Sequence, residues 1–102
     1  MAPSGILSAS TTADGIGIAF TFSEAATLTN PDITVTVNGS QRWTAADATD
    51  LLNDGTTVVT LVFAVPAISH GDTVSVVVIT DSFIFATSAV PTFSGPVTNT
   101  VP

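Results

Sequence analysis

The chain has 102 residues, is 45% hydrophobic and carries a formal net charge of -7, with Arg42 as its one permanent cation and no lysine. That length suits a single domain, residues 1–102, built around one two-layer core. So acidic a surface excludes nucleic-acid binding, which needs clustered Lys and Arg to release counterions, and disfavours anionic lipid headgroups.

Cysteine is absent, so disulfides and thiolate metal sites are excluded. No run approaches the roughly 20 apolar residues of a membrane-spanning helix, so no membrane insertion is expected. Residues 1–5 show no basic stretch followed by an apolar one, and so no export signal is expected.

In chain order, the weak segment at residues 5–10 reads as an outer strand. Residues 15–22 alternate strictly, with Ile16, Ile18, Phe20 and Phe22 on one face, the mark of a half-buried strand. Asn30-Pro31 marks a turn. Residues 33–37 repeat the alternation with Thr between apolar positions, and Asn38-Gly39 supplies a tight hairpin turn because both residues tolerate positive φ. Residues 41–44 form the returning strand. Residues 44–52 read as a loop with at most one helical turn. Residues 57–63 and 73–79 are β-branched runs, separated by Pro66 and Gly71-Asp72; the second is nearly continuous in Val, which predicts a strand covered on both faces. Residues 97–101 close the chain as a second outer strand.

About seven short antiparallel strands with regular turns and no βαβ alternation predict an all-β, immunoglobulin-like β-sandwich. Eighteen threonines keep the chain in water with few charges, since a hydroxyl meets solvent while the branched Cβ suits a pleated strand. Edge strands are commonly guarded by lysine, which is missing here. The guards must be Asp, Pro and bulges, or the edges must be covered by neighbours.

Five stretches carry a resemblance. They are Phe20-Thr21-Phe22-Ser23-Glu24-Ala25, the Ile33 to Gly39 hairpin start, Val58-Val59-Thr60-Leu61, His70-Gly71-Asp72-Thr73-Val74-Ser75-Val76, and Phe93-Ser94-Gly95-Pro96-Val97-Thr98-Asn99. Together they resemble the SwmB-type immunoglobulin-like repeat of bacterial surface proteins, and the chain is also similar to immunoglobulin-like decoration proteins of tailed phages. The resemblance implies a spacer or adhesive module without catalytic residues or cofactors. One departure stands out: where the family has an Asp-x-x-Gly-Asn turn, this chain reads Asp81-Ser82-Phe83-Ile84-Phe85, three apolar residues gained.

Candidate sites are few. His70 is the only histidine; with Ser69 and Asp72 nearby it lacks any nucleophile-elbow pattern and reads as an exposed turn residue. Asp47, Asp50 and Asp54 form a weak calcium candidate, because oxygen ligands suit that ion, but the spacing is not that of a calcium loop and solvated aspartates are the plainer reading. Glu24, the only glutamate, gives no carboxylate pair for glycoside hydrolysis. Asn38-Gly39-Ser40 matches a glycosylation acceptor only formally. Arg42 and Trp43 form a candidate partner contact, since both types are favoured at interface hot spots. Trp43 could equally be the sandwich's core tryptophan, the preferred placement, and Arg42 is expected to pair with an Asp within the chain or across an interface. Phe83, Ile84 and Phe85 read either as a short core strand with one stray exposed residue or as a binding patch.

The expected function is therefore non-catalytic. The first expectation is a capsid decoration protein at a virion surface, with the capsid shell or neighbouring copies as partners. The alternative is one repeat of an extracellular bacterial adhesin. A carbohydrate-binding module would want a platform of exposed aromatics, which one Trp and no Tyr do not supply. Homo-oligomers are compatible with either leading reading.

Overall fold

The computed structural model describes residues 5–65 and 67–102. Pro66, read above as a strand terminator, lies outside them, as do residues 1–4 of the amino-terminal segment. Among the described residues nine strands form: β1 Ile6–Thr11, β2 Gly17–Leu28, β3 Ile33–Val37, β4 Ser40–Thr44, β5 Asp50–Leu52, β6 Thr56–Val62, β7 Val74–Val78, β8 Phe83–Ile84 and β9 Phe93–Val97. One sheet runs β1-β2-β6-β5, with β8 added to the far end of β2; the other runs β4-β3-β7-β9, and all pairings between these strands are antiparallel. These are the ABED and CFG orders of an immunoglobulin sandwich, with β4 as an extra edge strand.

The twelve residues of β2 set the length of the molecule. At about 3.4 Å per residue they span about 37 Å, which is the longest dimension of the fold, 37 Å against 26 and 21 Å. Strand direction then defines two ends. At one, the loop before β3 meets the loop before β8: Thr29 N donates to Ser82 O, Asn30 N to Asp81 O, and Asp32 N to the Oγ of the fully buried Ser82. At the other lie the Asn38-Gly39 turn, the loop before β7, and the segment after β9.

Asn38 and Gly39 have φ of 53° and 85°, the left-handed pair that a two-residue hairpin requires. Gly15 has a harder constraint. Its φ is 79°, and a Cβ there would stand 2.3 Å from the carbonyl oxygen of Ile68. Only glycine lets the β1–β2 loop and the chain before β7 exchange the bond from Ile68 N to Gly15 O at 2.7 Å.

The core fills from both sheets. Phe20 and Phe22 from β2 pack on Phe83, with ring centroids 5.6 and 4.9 Å apart, and Phe85 meets Phe22 edge-on at 6.2 Å. Trp43, from the edge strand β4, lies flat on Phe63 at 4.9 Å and 3° between planes. Opposed rows Ile33–Val78, Val35–Val76 and Val37–Val74 line the second sheet's inner face, all buried.

The structure corrects three sequence expectations. The Val run of β7 is covered on one face only: Val74, Val76 and Val78 are buried while Val77 and the following Ile79 are exposed. Composition alone suggested two covered faces because valine on a solvated face reads the same as valine inside. The last strand is Phe93–Val97 rather than residues 97–101. It accommodates Pro96 as an edge strand, the place in a sheet where a missing N–H is tolerated. Residues 98–100 instead join β1 in a short parallel contact, Ser10 opposite Thr98. Finally, β2 continues past Phe22 to Leu28 through a register shift between Thr21 and Ala26, where Ser23-Glu24-Ala25 had broken the alternation.

The edges are blunted without lysine. β5 is three residues long and carries Asp50; β4 is shifted in register opposite Val35/Thr36; β9 holds Pro96; β1 bulges between Ile6 and Ser8. Short, bulged and proline-bearing edges resist pairing with a foreign strand. The 3-10 turn Ala45–Asp47 fits the one helical turn allowed between β4 and β5, and a capping box closes it, with Thr44 N donating to Asp47 Oδ2 at 2.8 Å.

Candidate partner-binding surface

The two segments expected to bind a partner are placed apart, Arg42 and Trp43 on the outer strand of one sheet and residues 83–85 beside β2 of the other. Trp43 is 3% exposed. Its ring is spent on Phe63, so it is a core residue and offers no contact area. Phe83 and Phe85 are 0% and 2% exposed, which corrects the apolar-patch reading: alternation along the strand turns both rings into the core and leaves only Ile84, 38% exposed, outside. Arg42 is half-buried. Its guanidinium donates to Ala67 O at 3.4 Å and stands 5.8 Å from the Trp43 ring centroid. After the Ser69 amide and the Asn38 side chain, its charge is a lesser cause that lowers the Asp72 carboxyl.

The calcium candidate does not assemble. Among the described residues no group of three or more His or acidic side chains could hold a metal ion. Each aspartate has separate local work: Asp47 caps the 3-10 turn, Asp50 accepts from Leu51 N at 2.8 Å, and Asp54 accepts from Leu28 N at 2.8 Å across the sheet.

Three of the five stretches quoted for the resemblance meet at one end of the sandwich. Asn38 Nδ2 donates to Asp72 Oδ1 at 2.9 Å while Asn38 Oδ1 accepts from Thr73 N at 2.9 Å. Asp72 Oδ2 accepts from Ser69 N at 2.8 Å. Asn99 Nδ2 donates to the carbonyls of Ser69 and Asp72 at 2.8 and 3.0 Å, and His70 Nδ1 lies 3.0 Å from Val101 O. The Asn-Gly, His-Gly-Asp and Val-Thr-Asn motifs are thus one staple that joins the β3–β4 turn, the loop before β7 and the carboxy-terminal segment. Ser69, His70 and Asp72 are tied to backbone and to Asn38 and do not form a relay. The Ser69 amide, followed by the Asn38 side chain, holds the Asp72 carboxyl below the usual carboxylate range. Asp14 is lowered in the same way by Thr12 Oγ1 and then Ile16 N.

Among the described residues the surface carries no pocket. What it does carry is two broad sheet faces with little charge, Asp50 standing at the β5 margin of the first. On the first, strand register sets Ser8, Thr21 and Val58 in one outward row and Ser10, Ala19, Thr60 and Leu52 in the next. On the second, the rows are Thr44, Thr34, Val77, Ser94 and Gln41, Thr36, Ser75, Pro96. Leu7, Leu52 and Val58 are the exposed large apolar residues of the first face or its rim. Sequence reading missed them, although a signal existed. Ile6-Leu7, Leu51-Leu52 and Val58-Val59 are adjacent apolar pairs, and a strand must turn one member of each outward. No protein-family model, no curated protein and no solved structure matches the chain.

Proposed function

We propose that this domain is a non-catalytic structural module that docks into a repeated surface array, in the first place as a decoration protein on a phage capsid shell. The observation that supports this reading is the distribution of charge. All eight acidic residues sit in loops, at the β2 register shift or on the edge strand β5, and the outward rows named above hold none of them. A face of Thr, Ser and aliphatic side chains can be covered by a protein shell without burying an unpaired charge, the costliest thing an interface can do. Many copies on a periodic shell multiply weak contacts through effective concentration. The test is co-sedimentation of the purified domain with bare shells, comparing the parent chain with Val58→Glu and Leu52→Glu. Both variants should stay folded by circular dichroism and lose binding; undiminished binding by the double variant rejects the face as the contact.

A second reading, one repeat of a bacterial surface adhesin, is favoured by a specific feature. β1 starts beside the middle of β2, with Ile6 opposite Phe22, and runs toward the end of the long axis where the chain leaves and Val101 meets His70, so entry and exit are separated along that axis. Such modules can be joined head to tail. Further copies of the Phe-Ser-Gly and Val-Thr-Asn stretches in the flanking reading frame would establish this alternative, and a stop codon after Pro102 together with no upstream copy would reject it.

A further inference from the structure

Asn38 belongs both to the staple and to the β3–β4 turn, and of the four asparagines in the chain it is the one followed by glycine. Asn30 precedes Pro31, Asn53 precedes Asp54 and Asn99 precedes Thr100. That neighbour decides a chemical fate. The backbone nitrogen of the following residue can attack an asparagine Cγ. The new C–N bond closes a five-membered succinimide, the Cγ–Nδ2 bond breaks, and ammonia leaves with the proton given up by the attacking nitrogen. Water then opens the ring at either carbonyl and leaves an aspartate or an isoaspartate. A following proline has no N–H to give, and any other following side chain crowds the approach; glycine does neither. Asn38 and Gly39 are both exposed, and a Cβ at Gly39 would meet nothing within 4 Å, so the ring has room to form.

The folded chain holds the amide away from this attack. Asn38 Nδ2 donates to Asp72 Oδ1 and Asn38 Oδ1 accepts from Thr73 N, both at 2.9 Å. The backbone is pinned to the same loop, with Asn38 N donating to Thr73 O at 2.7 Å. To bring Cγ onto Gly39 N, the side chain must swing off the loop before β7 and release both of its bonds. One of these is to a carboxylate, the stronger kind.

The reaction also removes what held it back. Its product at position 38 is a carboxylate with no proton to donate, facing the carboxyl of Asp72. Like charges at hydrogen-bond distance repel, so turn and loop cannot close on each other again. The same loop supplies the Ser69 and Asp72 carbonyls that anchor Asn99, and the carboxy-terminal segment is loosened with it.

We propose that Asn38-Gly39 is a self-modification site, a deamidation switch guarded by Asp72 and Thr73, which once it has reacted leaves the staple permanently open. The switch requires neither functional reading above.

The experiment is peptide mapping by mass spectrometry of the full chain, incubated at mildly alkaline pH, where the attacking nitrogen loses its proton more readily. Conversion at position 38 should be at least about tenfold slower in the native protein than in concentrated urea, the equivalent of one charge-assisted bond. Asp72→Ala should raise the native rate about tenfold and leave the rate in urea unchanged. Val59→Ala, which weakens the core of the opposite sheet, should not raise the native rate. Equal rates in the native protein and in urea, no effect of Asp72→Ala, or the same acceleration from Val59→Ala would overturn the guard. Asn38→Asp reports on the product and keeps the test available if Asp72→Ala fails to fold. It should lower the urea midpoint, and Asn38→Asp combined with Asp72→Asn, which reverses donor and acceptor across the same contact, should restore it. An Asn38→Asp variant as stable as the parent, or a loss that the double variant does not recover, would overturn the switch.

Discussion

Truncating Phe83 to alanine tests the placement of β8, on which the reassignment of residues 83–85 from patch to core depends. The ring is fully buried against Phe20 and Phe22. A phenylalanine buries about 150–250 Å², which at about 25 cal/mol per Å² corresponds to about 4–6 kcal/mol. The methyl group that remains lowers the loss, and large-to-small aromatic changes cost about 3–5 kcal/mol. A domain of this size has about 5–15 kcal/mol in total, so the variant should be folded but much weakened, or unfolded. With a urea dependence of about 2 kcal/mol per M, the midpoint should fall by about 2 M. Ile84→Ala, on the outward side of the same strand, should cost under about 1 kcal/mol. Equilibrium urea unfolding of both variants decides the matter. If Ile84→Ala is the more damaging, β8 is displaced by one residue on β2, every side chain in it changes face, and the aromatic pair returns to the surface.

Gly15→Ala should destabilise far more than Gly39→Ala, because both glycines have left-handed φ but only Gly15 faces a backbone oxygen at 2.3 Å from the added Cβ, while Gly39 has nothing within 4 Å. Thermal denaturation should show a loss of about 1–2 kcal/mol at Gly39 and a clearly larger one at Gly15; equal losses would refute the close approach. Trp43 should emit at short wavelength and resist iodide quenching in the native protein, and Trp43→Ala should cost about 3–5 kcal/mol; free quenching would place the ring outside. Asp72 titrates lower in the folded chain than its unfolded value of about 3.9, so its stabilising effect is present above that value and is lost as pH falls through the lowered one. Asp72→Asn should therefore flatten the acid side of the stability profile, measured by urea midpoints between about pH 5 and 2; a profile of unchanged slope would show that the carboxylate is not held by Ser69 and Asn38.

Much of this was legible locally. The alternation in Ile33–Val37 gave a strand with the bounds the structure has, and Asn38-Gly39 gave its turn, because two-residue periodicity and left-handed φ are properties of a few adjacent residues. Residues 83–85 show the boundary of that legibility. Alternation implied that one of the three side chains would differ from its neighbours, but which side faced the core depended on where Phe20 and Phe22 stood. The same holds for Trp43, whose two candidate roles look identical until Phe63 is found beneath it. β5, three residues long, was too short to register as a pattern at all.

The composition of this chain, its turn residues and its two-residue rhythm were enough to fix an all-β sandwich, since those traits act over a few residues at a time. The meaning of its motifs was not available in the same way. Asn38, Asp72 and Asn99 lie far apart along the chain and become one staple only when three loops meet, and Thr11 finds Thr100 only after the first and last segments run side by side. Hydrogen bonds between residues separated by 27 to 89 positions leave no periodic trace, so folding alone brings them to light.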